Sequence, residues 1–216
     1  MKSTITVREL ATHTSGLDDA EEGGLPHEQL TGWKGKFWKR LPVPNDPFTI
    51  SRDATPVFSA PGTVSSYSNP GIAMLGYAVT GSLRGAADHD LRSLLTNRIM
   101  NPIGVPSSEW ECGYGETFTV DGLPLVPTWG GGHYSPNAAA RVGRLLLRRG
   151  DWDGNQLLRQ TVVQEATTHA IPGLPGHGLF GWWGNVDGNG AQVSPSLPTD
   201  AFYATGAGHQ LSLIHI

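Results

Sequence analysis

The stretch APGTVSSYSNPGIAMLGYAV, Ala60 to Val79, decides how this chain is read. Asn69 followed by Pro70 has the form of an N-cap and first helical position, because proline's missing N–H costs nothing there. Ile72, Leu75, Gly76 and Val79 then recur at helical spacing, so a helix is predicted with Tyr67-Ser68-Asn69 at its entrance. Upstream, Thr6 and Glu9 have capping-box spacing, which predicts a short helix ending near Gly16, with His13 helping to close it. Residues 18 to 62 read as a largely irregular, surface-hugging loop pinned by Trp33, Phe37 and Trp38. Downstream, Asp90 to Met100 is a third helix and Ser135-Pro136 opens a fourth with Ala139, Val142, Leu145 and Leu146 on one face. A fifth is expected from Thr161, with Gln164 at capping-box spacing. Only after about residue 178 do strand patterns appear, in GLFGWWGNV and AFYATGAGHQLSLI.

Composition narrows the possibilities. The 216 residues are 38% hydrophobic, enough for one packed core. A net charge of −4 offers no basic field for a polyanion, so nucleic acid is not an expected partner and a small, weakly charged molecule is. Cys112 stands alone, and the eight histidines show neither HExxH nor zinc-ligand spacing, so no disulfide, metal or cofactor is expected. No apolar run approaches the roughly 18 residues of a membrane span. Oligomeric state and compartment are open.

Five blocks in order carry a resemblance: Ile5 to Leu17 (ITVRELATHTSGL), Ala60 to Val79, NRIMNPIGV, GGGHYSPNAAARVGRLLLRRGDWDGNQLL and FYATGAGHQ. Together they are similar to the β-lactamase-related serine hydrolases, a family that includes class C β-lactamases, D-alanyl-D-alanine carboxypeptidases, esterases and amidases. The resemblance implies an α+β, β-lactamase/transpeptidase-like fold, here mostly the helical subdomain with part of the antiparallel sheet. Residues 1–177 would be the mainly helical part of a partial domain, and 178–210 the start of the C-terminal strands.

The implied chemistry is acyl transfer to a serine activated by lysine, through three motifs, S-x-x-K, Y-x-N and K-[ST]-G. Tyr67-Ser68-Asn69 matches the second: Tyr67 would move the proton and Asn69 would hydrogen-bond the substrate. A phenol with an ordinary pKa of about 10 needs positive potential to act as a base, which a helix start and a lysine would supply. The tripeptide by itself also fits a plain N-cap preceded by a staple residue; the ordered blocks favour the functional reading. In the third motif Ala204-Thr205-Gly206 replaces the cation with alanine. Thr205 and Gly206 would still line the edge that receives the substrate, but no charge at position 204 holds a carboxylate, which points to an ester or amide rather than a β-lactam. His209 is a weak candidate for that charge.

The first motif is absent: no serine is followed three positions later by lysine, and no G-x-S-x-G occurs. Thr31 and Lys34 have T-x-x-K spacing, but in a predicted loop. The nucleophile is therefore expected upstream of Met1, in a fragment truncated at both ends, inactive as it stands and prone to aggregate through uncovered sheet edges. Leu211 to Ile216, LSLIHI, matches a translated sequencing adaptor and is expected to be non-biological, from a gene assembled from environmental reads; its alternation also fits a genuine strand. Gly130-Gly131-Gly132 is expected at the pocket rim, and Trp182-Trp183 in the core rather than as a substrate wall. The alternative function is a non-catalytic relative that keeps the pocket to bind a small molecule or peptide.

Overall fold

The structure, a computed structural model, describes residues 2–168, 182–206 and 210–214. The helices are α1 (Val7–Ala11), α2 (Gly32–Lys39), α3 (Pro47–Thr49), α4 (Asn69–Ser82), α5 (Leu91–Leu95), α6 (Pro136–Leu147) and α7 (Gln160–Thr167). The strands are β1 (Trp110–Glu111), β2 (Phe118–Val120), β3 (Leu123–Leu125), β4 (His133–Tyr134), β5 (Asp151–Trp152), β6 (Asn155–Gln156), β7 (Trp183–Gly184), β8 (Phe202–Gly206) and β9 (Gln210–Ile214). The chain is α+β, and its backbone divides into two compact units, Met1–Asn97 with Glu111–His133, and Arg98–Trp110 with Tyr134–Ile216.

In the first unit, Phe37, Phe48, Ile50, Ala73, Val120, Leu123, Leu125 and Trp129 form one buried cluster. The Trp129 ring sits 4.9 Å from Phe37 and 5.3 Å from Phe48, in tilted and edge-on geometries that favour aromatic pairs. Each fully buried phenylalanine contributes about 1.5–3 kcal/mol of burial. Helix α4 contributes Ala73 to this cluster and packs Ile72, Met74 and Tyr77 against it, while its buried positions past the first turn, Ala73, Gly76 and Thr80, are small and Leu75 and Val79 are only half-buried. A Cβ at Gly76 would lie 2.8 Å from the Thr128 hydroxyl, so close approach of that residue selects a small one at this position.

Residues 18 to 62 differ from expectation. They include α2, α3 and a π-helical turn over Ile50–Ala54 rather than an irregular loop. Gly32 and Gly35 lower the intrinsic helix propensity of α2, but a Cβ at Gly35 would lie 2.2 Å from the Leu30 carbonyl, so packing requires glycine there. Trp33, Phe37 and Trp38 do anchor the segment, with Trp38 Nε1 donating to the Ala20 carbonyl at 3.0 Å. Lys34 consequently lies on a helix, with Thr31 as its N-cap, and its ammonium donates to the Glu21 carbonyl at 2.9 Å.

The second unit contains α6, α7 and a three-stranded antiparallel sheet in the order β7-β8-β9. Ser135 caps α6 as expected, accepting from Ala138 N–H, and its hydroxyl donates to Glu109 at 2.6 Å. The two hydrogen bonds from Ser135 and Asn137 hold the Glu109 carboxyl below its ordinary pKa. Helix α7 begins one residue earlier than predicted, at Gln160, and Thr161 makes no cap; Arg159 is the N-cap residue, without a side-chain bond. Strands also occur before residue 178: β2 and β3 form a hairpin around Asp121-Gly122, and β5 and β6 one around Asp153-Gly154, both with positive φ at their turns. Trp182 and Trp183 are half-buried and pack on Phe202 and Tyr203 at 5.6 and 6.2 Å. The Asn185 side chain is fully buried and donates to the Ser194, Leu197 and Pro198 carbonyls, pinning the 185–198 connection.

Candidate active site

The site is built where two sequence-distant segments of the first unit meet. The capping box of α1 forms as predicted, Thr6 accepting from Glu9 N–H while Glu9 accepts from Thr6 N–H. The helix ends earlier than predicted, at Ala11, and the left-handed residue that closes it is His13, at φ 55°. Thr14 N–H bonds to the Glu9 carbonyl and His13 N–H to the Leu10 carbonyl, the paired bonds of a Schellman ending. The chain then runs beside residues 56–66, through Phe58 N–H to Gly16 O (2.9 Å), Gly62 N–H to Thr14 O (2.8 Å) and Ser66 N–H to His13 O (2.8 Å). Gly16, at φ 74°, is needed for this approach, since a Cβ there would fall 2.2 Å from the Ser59 carbonyl oxygen.

The entrance to α4 differs from the sequence reading by one residue. Ser68, not Asn69, is the N-cap: its hydroxyl accepts from Gly71 N–H at 3.0 Å and donates to the Asp18 carbonyl at 3.1 Å. Asn69 is therefore released from capping. Its backbone N–H and side-chain Nδ2 both donate to Asp19 Oδ1, at 2.8 and 2.9 Å, while its Oδ1 lies 3.5 Å from the Tyr67 hydroxyl. Because Asp19 Oδ1 can only accept, the amide orientation follows from this network. Burial raises the Asp19 pKa, against the lowering effect of its bonds from Asn69 and Ala20.

Tyr67 packs against His13 in a tilted contact, with ring centroids 4.5 Å apart and planes at 31°, yet leaves 42% of its surface exposed. His13 Nδ1 accepts from Ser68 N–H at 3.2 Å. The electrostatics are opposite to the sequence expectation: burial, then the charges of Asp19 and Glu21, raise the Tyr67 pKa rather than lowering it. In this setting the phenol stays protonated and acts as a hydrogen-bond donor, and a cation near it would be required to make it a base. Tyr114, held at φ 57° and packed against Gly130 and Gly131, also acts on the Tyr67 phenol; burial raises its own pKa as well. This places the predicted glycine turn against Tyr114.

Thr205 and Gly206 lie in the second unit, at the exposed end of β8, paired with Leu211 and Gln210 of β9. Ala204 pairs with Ser212. His209 falls outside the described residues. The expected adaptor-derived segment supplies most of β9, whose Ile214 is 7% exposed. Among the described residues no group of three or more His, Cys, Asp or Glu could hold a metal ion, and no helix is long and apolar enough to cross a membrane.

With the α+β fold and the entrance to α4 described, the comparisons give the family. The sequence profile of the Beta-lactamase family matches residues 1–215, and this chain belongs to that family. No curated protein matches it significantly. Among solved structures it is similar to a candidate 6-aminohexanoate-dimer hydrolase of Bacillus anthracis (17% identity, TM-score 0.63, covering 97% of this chain and 52% of that one). It is also similar to a penicillin-binding protein homologue of Caulobacter crescentus (18%, 0.58, 98% and 62%) and a D-stereospecific amidohydrolase of a Streptomyces species (18%, 0.51, 98% and 60%). The chain thus spans about half to three-fifths of the length of these structures.

Proposed function

We propose that this chain is part of a serine acyl hydrolase that cleaves an ester or amide through an acyl-enzyme. Tyr67 passes the proton between nucleophile and leaving group, Asn69 orients the substrate, and Thr205 and Gly206 present the strand edge along which the acyl group lies. The serine and its lysine come from an S-x-x-K segment outside these 216 residues, a reading supported by the absence of that motif here and by the partial coverage of the matched structures. Residues 1–177 and 178–210 would then belong to one partial domain, with 211–216 added from adaptor sequence.

The observation that carries the proposal is the Asn69 amide, freed from capping and turned by Asp19 so that its carbonyl oxygen faces the Tyr67 hydroxyl. A bare helix cap needs no such network. A lysine brought beside Tyr67 would offset the Asp19 and Glu21 charges and return the phenol toward a useful pKa. Ala204 leaves the third motif without a cation, so the substrate class is an ester or amide lacking the carboxylate of a β-lactam; an amide is compatible with the similarity to the D-stereospecific amidohydrolase and the candidate 6-aminohexanoate-dimer hydrolase.

The test is to recover the full reading frame and assay its product with a short-chain p-nitrophenyl ester, an amide and a chromogenic cephalosporin. Turnover abolished by Tyr67→Phe supports the proposal. One observation favours a second reading: the raised Tyr67 pKa makes the phenol a donor, as a binding module would use it. An intact frame without S-x-x-K and without turnover would select that reading.

A further inference from the structure

We propose that His13 is a positioning residue for Tyr67, holding the phenol in place through the imidazole itself and not only through the backbone turn it occupies. The inference rests on the hydrolase reading for its meaning, since Tyr67 is the proton carrier there, but its geometry is independent of turnover.

His13 does two separable things. Its backbone, at φ 55°, closes α1, a position at which glycine or asparagine is ordinarily preferred because a β-carbon is costly in the left-handed region. The turn alone does not account for a histidine at this position. Its ring supplies one. Nδ1 accepts the Ser68 N–H at 3.2 Å across 55 residues of sequence, and the same ring packs, tilted, against Tyr67 with centroids 4.5 Å apart. Ser68 is the N-cap of α4, so its own N–H precedes the helix and its hydroxyl is engaged by Gly71 N–H and the Asp18 carbonyl. The imidazole thus ties down the peptide between Tyr67 and Ser68, fixing the ring's height above the helix start. From the other side Asp19 fixes Asn69. The two residues of the motif that face the substrate are each held by a different member of the segment 13–19.

The geometry requires an unprotonated Nδ1, with the ring hydrogen on Nε2. It also requires that a glycine at position 13 keep the turn but lose the hold on Ser68, while an asparagine keeps both, since asparagine tolerates the left-handed region and carries an acceptor oxygen on the atom where histidine carries Nδ1.

The experiment uses the product of the full reading frame and nitrogen and carbon NMR, with no substrate. In the wild type, the His13 imidazole should show the Nε2–H tautomer. In His13→Gly the relief of the left-handed backbone is outweighed by the loss of a buried ring, so the thermal midpoint should fall; beyond that global effect, the Ser68 amide should exchange with solvent roughly tenfold faster relative to the other amides of α4, the loss of about one hydrogen bond, and the Tyr67 Cζ titration should shift. His13→Asn should restore the slow exchange. An Nδ1–H tautomer in the wild type, or Ser68 exchange equally slow in His13→Gly at matched stability, would overturn the proposal and leave His13 as a helix-closing residue. Because none of these readouts involves hydrolysis, failure of the hydrolase reading would appear in the full-frame assay and leave them unchanged.

Discussion

Asp19 Oδ1 receives two hydrogen bonds from one residue, from the backbone nitrogen of Asn69 at 2.8 Å and from its side-chain nitrogen at 2.9 Å, and a third from Ala20 N–H at 2.8 Å. A single carboxylate oxygen thereby sets both the start of α4 and the orientation of the amide that faces Tyr67. Removing it in Asp19→Ala leaves buried N–H groups without an acceptor and should lower stability by about 1–3 kcal/mol, read from urea denaturation.

The same carboxyl gives a pH dependence with a definite sign. Burial raises its pKa in the folded chain, so the folded state binds the proton more tightly than the unfolded state does. Stability from this group therefore falls as pH rises through the window between the ordinary carboxylate value and the raised one. The advantage of wild type over Asp19→Asn should grow as pH is lowered through that window. Denaturation midpoints of both proteins across the acidic range check it; a constant difference would show that Asp19 ionises normally.

Tyr67 should titrate above an ordinary tyrosine, because burial and then the charges of Asp19 and Glu21 disfavour the phenolate. Replacing Asp19 by Asn should bring its pKa down. Carbon NMR of labelled tyrosine, with Tyr67→Phe used to assign the signal, measures both.

Gly16→Ala should cost more than the roughly 1–2 kcal/mol that left-handed backbone imposes on a residue with a β-carbon. The added methyl would meet the Ser59 carbonyl oxygen at 2.2 Å, and that oxygen belongs to backbone that cannot swing aside. The denaturation midpoint reads the loss.

Leu211 to Ile214 pair in register with Phe202 to Thr205, and Ile214 is buried. An alternating segment of either origin could occupy this edge, so pairing does not reveal where the residues come from. Reading the source DNA across these codons does: adaptor origin predicts that the natural frame diverges after Gln210, and the same codons in the source would remove that origin.

Much of the architecture could be read from local signals. The Thr6/Glu9 capping box, the Ser135 cap and the position of α4 follow from side chains that act within four residues of themselves. What escaped was set by distant contacts. Helix α2 carries Gly32 and Gly35, and only its packing on Leu30 and Trp129 explains why it forms. The one-residue shift of the cap from Asn69 to Ser68 comes from Asp18 and Asp19, which lie 50 positions away in sequence. For the same reason neither His13 nor Asp19 stood out as a site residue, although His13 lies in the Ile5 to Leu17 block, one of the five that carry the resemblance. The expectation of positive potential at Tyr67 rested on a helix start and on a lysine that these 216 residues do not place in an S-x-x-K motif; burial, and then the neighbouring acids, raise the phenol's pKa instead.

The most direct measurement is turnover of a short-chain p-nitrophenyl ester by the product of the full reading frame, with and without Tyr67→Phe. Hydrolysis that falls by about a hundredfold or more in the variant, with unchanged thermal stability, is the expected result. Hydrolysis that survives the loss of the Tyr67 hydroxyl would contradict its assignment as the proton carrier.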